Sequence, residues 1–585
     1  MRTRLLIMIV AIAVAVPGVP AAAQPATDPL NQIVKRMTLE QKVGQLFATY
    51  VYGSDANAVS AEDALANRTS YGVSTPAEVV AKYHLGEVIY FVWSGNLRDP
   101  RQIATLSNGL QGAAATSGAN LPLLISTDQE QGSVVWRLPP PATAFPGAMA
   151  LGAGRSPADA YTAARITGDE LRAVGITQAL APVADVNVNP ANPVIGVRSF
   201  SSDPALAAQM VDAQVNGLQR GANATATAKH FPGHGDTAVD SHTGIPIITH
   251  TVDQWWRLDA PPFQAAIAAG IDSIMTAHIV VPALDPSGDP ATLSHPILTG
   301  LLRDQLGFGG VIMTDALTMA GVREKYRDER IPVLALKAGA DLLLMPPNLD
   351  LAYNAVLDAV RSGELKESRI DQSVLRILKL KQRRGLLSGA MVDVDAAART
   401  VGSADHLAAA QDITDRTVTA VRNDAEVLPF AAAGRSVLVT GWNSSVFANV
   451  DVLAGRLTAR GVPTTRMPIG SAPTADIVRA ASSADLTVVM TNNARSSAGQ
   501  QQLVKALAAT GRPLVVVAVR DAYDIAYFTE VSTYLATFSY TPPAMESVAR
   551  VLLGERSPRG RLPVSIPVAG DPTTTLYPFG YGLTW

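Results

Sequence analysis

Residues 229–242, KHFPGHGDTAVDSH, gather three of the chain's eight histidines with a lysine and two aspartates around two glycines and a proline. Such a cluster could hold a metal, cradle a phosphate or move a proton. His230 and His234 have the i, i+4 spacing of helical zinc ligands, but Pro232 and Gly233 lie between them, and an interior proline breaks a helix. A loop could still bring His234, Asp236 and His242 round a cation. For phosphate, Gly233-His-Gly235 is shorter than a Walker loop and Lys229 precedes it instead of following. Proton transfer uses more of the residues. Asp240, two positions before His242, can accept from one ring nitrogen, fix the tautomer and leave the other nitrogen to give and take a proton near neutral pH. The plainer alternative is a surface histidine bonded to a nearby aspartate.

A second carboxylate follows an apolar run at 311–315, VIMTD. Asp315 could attack an electrophilic carbon, or simply cap a helix beginning at Ala316. The elements that must carry these groups follow a pattern. From 28 to 387, short apolar runs at 87–92, 121–126, 179–183, 224–228, 273–276, 310–314 and 340–344 alternate with helix-like segments such as 157–174, 204–218 and 253–269. This α/β alternation predicts a (β/α)8 TIM-type barrel, one strand of it poorly marked near the N-terminus. Asp128-Gln-Glu130, Asp185, Lys229-His230, His278 and Asp315 then stand where strands give way to loops, the end at which barrels carry chemistry. Residues 388–412, weakly patterned, read as a linker. Residues 413–585 resume the alternation as a smaller α/β sandwich domain without histidine.

At 585 residues the chain exceeds a single core, and a net charge of −3 makes nucleic acid an unexpected partner. Arg2 and Arg4 precede an apolar run from Leu5 to Val16 and then Ala21-Ala22-Ala23, the order of a signal peptide covering residues 1–23. An uncleaved anchor is the alternative. Export to a secreted, periplasmic or wall-associated location is the expectation, with no membrane span in the mature chain. The chain has no cysteine, so a thiol nucleophile and a thiolate metal site are excluded.

KHFPGHGDTAVDSH together with VIMTDALTM at 311–319 resembles glycoside hydrolase family 3, in its β-N-acetylhexosaminidase branch. Supporting segments are MTLEQKVGQLF at 37–47, STDQE at 126–130, PVIGVRSF at 193–200 and LGFGG at 306–310, with 421–429, 560–564 and 576–583 similar to the family's second domain. The resemblance implies retaining hydrolysis of terminal β-linked N-acetylglucosamine from wall-derived (peptidoglycan) or chitin-type oligosaccharides, without cofactor or metal. It makes Asp315 the nucleophile, His242 the acid/base and Asp240 its orienting partner. It assigns Asp128, Arg137, Arg198, Lys229 and His230 to sugar hydroxyls. Two departures stand out: Asp128-Gln-Glu-Gln-Gly132 replaces the usual Asp-Gln-Glu-Gly-Gly with one extra residue before Arg137, and Ala316 follows Asp315 where many members have a second acid. A β-glucosidase or β-xylosidase of the same family, and a glycan-binding protein on the same scaffold, are the alternatives.

Overall fold

The computed structural model describes residues 28–585; the signal-peptide expectation for residues 1–23 lies outside them. Eight short parallel strands form the first sheet: β1 Phe47–Thr49, β2 Glu87–Ile89, β3 Leu124–Thr127, β4 Gln178–Ala179, β5 Thr225–Phe231, β6 Ser273–Thr276, β7 Val311–Met313 and β8 Leu343–Leu344. Their order runs from β7 down to β1 and then to β8, and a parallel bridge between Met313 and Leu342 joins the two ends into a barrel. All eight strands are buried along their length, as expected for a parallel sheet covered by helices. The poorly marked strand is β1, three residues directly after the helix Leu39–Gly44.

The helices start where the sequence supplies caps. Ser156 and Asp203 accept backbone N–H groups at the starts of Pro157–Ala173 and Pro204–Asn216, each with proline in the first turn. The helix expected over 253–269 is instead two, Val252–Leu258 and Ala260–Ala268. Pro261 and Pro262 have no N–H to continue the ladder across Asp259, so the chain turns there. Ala48, Ile89, Leu124, Leu180, Met275 and Met313 pack together in one cluster, to which Ile377 and Leu380 of the helix Glu367–Arg383 belong.

Residues 388–412 are not the plain linker expected. They contain the helix Val394–Thr400 and most of Ala404–Asp415, which bury Ala397, Ala410 and Ile413 in the main core of the barrel domain. The small, weakly periodic residues there hid helices whose stability comes from packing. Beyond them β9 Thr419–Asn423, β10 Val437–Gly441, β11 Thr464–Pro468, β12 Leu486–Thr491, β13 Leu514–Ala518 and β14 Thr533–Ala536 form a six-stranded sheet in the order β11-β10-β12-β13-β14-β9. All its pairings are parallel except β14 with β9.

Candidate active site

A cavity of about 300 Å³ opens at the C-terminal ends of the barrel strands. Asp128, Arg137, Arg198, Lys229, His230, His242 and Asp315 all line it. Asp240 stands behind His242, its carboxylate 2.7 Å from Nδ1 of the imidazole.

The floor is a buried ionic network. Glu130, just beyond β3, accepts two bonds from Arg198 at 2.8 Å and faces the Lys229 ammonium at 2.7 Å. Lys229 also donates to Asp128 at 2.8 Å. Burial alone would push the Glu130 carboxyl up; the two cations reverse that and hold it well below the usual range. Burial likewise opposes the charge on Lys229, but Asp128 and Glu130 outweigh it and raise its pKa. Glu130 thus fixes two of the side chains expected to meet sugar hydroxyls, a role the sequence did not disclose.

His230 is oriented from behind. Its Nδ1 lies 2.7 Å from Asp185, which also accepts the backbone N–H of His234 at 2.7 Å, so one buried carboxylate ties β5 to the start of the following loop. Between Ala228 and Phe231 the pairing of β5 with β6 shifts register, an irregularity of the kind that re-aims side chains beside active sites. Gly235 lets that loop pass β4's extension: a Cβ there would lie 1.8 Å from the Val186 carbonyl oxygen.

His234 has a structural partner at each ring nitrogen, Thr237 Oγ1 at 2.8 Å and Ser241 Oγ at 2.9 Å. Burial lowers its pKa to about 4, so it is neutral and ties the loop across its own width. Asp236 is engaged elsewhere, 3.0 Å from His250. A cation shared by His234, Asp236 and His242 is therefore not assembled.

His242 itself is at the rim, 59% exposed, with Asp240 accepting its backbone N–H at 2.9 Å as well as facing its ring. Partial burial of the Asp240 carboxylate would raise its pKa, but these bonds from His242 lower it, so it is ionised against the imidazole.

Asp315 follows β7 directly. No helix starts at Ala316; the next begins at Ala320 with Met319 before it, so a capping role for Asp315 is not what the chain builds. Burial opposes its charge, yet His230, His278, the Ala316 N–H at 2.7 Å and Lys229 bring its pKa below the ordinary aspartate value. His278 approaches Thr292 with one ring nitrogen and the Ala316 carbonyl with the other, at 2.8 and 3.0 Å. Gly321 donates its N–H to the Ser241 carbonyl at 3.0 Å, so the segment after Asp315 touches the loop that carries His242. A Cβ on Gly321 would crowd both Ser241 and His278.

The second domain meets two loops that carry cavity-lining residues, those after β3 and after β4; in the latter Asn187 donates to the Tyr523 hydroxyl at 3.2 Å and Arg495 donates to the Pro190 carbonyl. Ser133 accepts the Tyr540 N–H at 2.9 Å, its carbonyl accepts the Tyr540 hydroxyl at 2.7 Å, and Trp136, next to Arg137, packs on Phe447 with ring centroids 5.2 Å apart. The extra residue before Arg137 leaves that arginine on the cavity wall, on a loop supported from the other domain.

A half-buried carboxylate, Asp315, over a charged floor in a (β/α)8 barrel followed by a sandwich domain gives a two-domain architecture that known proteins share. Residues 38–380 match the family model for the glycosyl hydrolase family 3 N terminal domain and residues 418–585 the model for its C-terminal domain. The chain belongs to glycosyl hydrolase family 3. A β-hexosaminidase A of Pseudoalteromonas piscicida is 33% identical over 84% of this chain and 90% of its own. A β-N-acetylglucosaminidase/β-glucosidase of Cellulomonas fimi is 30% identical over 84% and 94%. The solved structure of a family 3 β-N-acetylglucosaminidase from a Paenibacillus strain superposes with a TM-score of 0.82, at 39% identity over 91% of this chain and 99% of that one.

Proposed function

We propose that this glycoside hydrolase is a retaining exo-β-N-acetylglucosaminidase that works through a covalent glycosyl–Asp315 intermediate, with His242 and Asp240 as the acid/base dyad. The observation that carries the reading is the shared cavity. An ionised carboxylate lies inside it, an imidazole backed by a carboxylate stands at its rim, and a fixed set of charged donors and acceptors forms its floor.

The floor binds the terminal sugar: Asp128 accepts from its hydroxyls, while Lys229, Arg198, Arg137 and His230 donate to them or brace the groups that do. Such charge-assisted bonds are stronger than neutral ones and hold the ring in a reactive pose. The Asp315 carboxylate forms a bond to the anomeric carbon as the bond to the leaving oxygen breaks. His242, as imidazolium, gives its proton to that oxygen, and Asp240 steadies the cation before transfer. Neutral His242 then takes a proton from water as the water oxygen displaces Asp315 from the same carbon. Two inversions give net retention. The names of the relatives support N-acetylglucosamine as the sugar, and the leader-like start of the chain supports an exported enzyme acting on peptidoglycan fragments or chitin-type oligosaccharides.

The test replaces Asp315. Asp315→Asn should lower kcat/KM for an aryl N-acetyl-β-glucosaminide by about a thousandfold or more, since it removes the nucleophile and keeps the shape. A folded variant with near-wild-type turnover would refute the assignment. Because the Cellulomonas relative carries both activities in its name, aryl β-glucosides and β-xylosides belong in the same panel. Faster turnover of either by the wild type would favour the glucosidase or xylosidase alternative.

A further inference from the structure

We propose that Trp93 is the platform on which the leaving half of the substrate stacks, and that this half is a hexopyranose ring. The inference rests on the reading of His242 and Asp315 given above.

Trp93 follows β2 and lines the same cavity, yet the residue is 58% exposed, an unusual position for an indole. It is also held in place. Phe91, only 8% exposed, stacks beneath it with ring centroids 5.0 Å apart and planes at 23°. Tyr50 and Tyr52, from the loop after β1, meet it at 4.8 and 6.0 Å with planes tilted by 68° and 67°. The backbone beneath is stapled by the fully buried Asn96, whose amide donates to the Val51 and Gly53 carbonyls at 3.0 and 2.8 Å and whose oxygen accepts from Ser94 at 2.5 Å. A wide apolar ring is therefore presented to solvent at the cavity mouth by a built support, with little freedom left to lose on binding.

Depth decides which part of the substrate meets it. The polar anchors are sunk in the floor: the side chains of Lys229, Glu130 and His230 are 3, 6 and 7% exposed. His242 at 59% and Trp93 at 58% share the rim. The proton from His242 goes to the oxygen between the bound sugar and its leaving group, so the leaving group lies outward from that level, where the indole is. What an indole face holds there is a surface of C–H groups flanked by hydroxyls, as one side of a pyranose ring presents. A peptide or simple alkyl group has no comparable flat face to offer.

The experiment compares two substrates in wild type, Trp93→Ala and Trp93→Phe: N,N′-diacetylchitobiose, whose leaving group is a sugar ring, and methyl N-acetyl-β-glucosaminide, whose leaving group is methanol. In Trp93→Ala, kcat/KM for the disaccharide should fall about tenfold further than for the methyl glycoside, mainly through KM, and Trp93→Phe should recover most of the difference. Equal losses on the two substrates, or no loss on either, would overturn the proposal. Wild-type turnover of the methyl glycoside tests the parent reading separately, because that substrate makes no use of the platform.

Discussion

At the C-terminal end of the barrel Glu130 sits between Arg198 and Lys229; at the N-terminal end Asp341 sits among Arg303, Arg369 and Arg376. Both carboxylates are buried, and both gather more than one cation. They differ in where their networks stop. Asp341 accepts from Ser373 at 2.7 Å, from Arg376 at 3.0 Å, from Arg303, and from the backbone N–H of Ile312 in β7 at 3.0 Å. Its capacity is spent on the protein, at the seam between β7 and β8 where the ladder is reduced to one bridge. Neighbouring Asp272, before β6, is likewise held by Arg383 and Arg384, and with Arg376 and Arg383 it lines a second cavity of about 240 Å³. The upper network ends on Asp128 and His230, which line the cavity that also holds Asp315. Buried charge alone therefore does not mark a site. Nor does a cavity beside it: the lower cavity is lined mainly by cations, Arg376, Lys379 and Arg383, whereas the upper one brings carboxylates and imidazoles together, Asp128, Asp315, His230 and His242 among them.

The sharpest way to break this contrast is at the rim. His242→Ala should cost about a hundredfold to ten-thousandfold in kcat/KM on substrates with poor leaving groups, the range for general acid–base catalysis. The loss should shrink for an aryl glycoside that departs without protonation, with the slow step moving to release of the sugar from Asp315. If the loss is the same for good and poor leaving groups, His242 is not the proton donor.

An intermediate effect, on stability and not on chemistry, is expected at the opposite end. Asp341→Ala removes the shared partner of three arginines and the acceptor that closes β7 against β8. It should destabilise the fold by about 3 kcal/mol, as breaking a buried ion pair does. Turnover per folded molecule should be retained, since no part of that network lines the cavity that holds Asp315. Chemical denaturation and titration of active molecules check the two halves, and a selective loss of kcat with unchanged stability would erase the distinction between the ends.

The sequence disclosed the upper end far better than the lower. KHFPGHGDTAVDSH and VIMTD put titratable groups beside turn residues and after an apolar run, which is enough to place them at strand ends. His234, left without a role by spacing alone, became a loop tie only once Thr237 and Ser241 were seen at its two nitrogens. Trp93 was illegible because the run 87–92 simply reads as a strand, and its supporting tyrosines come from forty residues earlier, across two strands. Strand β11 escaped notice because it lies at a sheet edge with half-exposed and polar residues and no apolar alternation. The arginines that meet Asp341 are separated from it by 28 to 38 positions, and any exposed helix carries such residues. Local chemistry leaves a local signature; closure of the barrel does not.

The smallest expected effect concerns how the loop that carries His242 is pinned. His250 lies 3.0 Å from Asp236, on the loop between His234 and Asp240, and 2.7 Å from Asp259 at the helix break. Bonds to Asp236 and Asp259 raise its pKa from 6.5 to about 10, against the effect of burial, so it is a cation at neutral pH. Because the folded-state value is the higher one, the stabilisation is fully present below pH 6.5 and fades as pH rises from there through about 10. Wild-type stability should therefore decline over that window more steeply than in His250→Gln, which cannot carry the charge. Parallel declines in the two proteins would show that the clamp contributes nothing. A decline in kcat/KM accompanying the wild-type change, and absent from the variant's profile, would tie the position of Asp236 to that of the Asp240–His242 pair, extending the upper network one residue beyond the cavity wall.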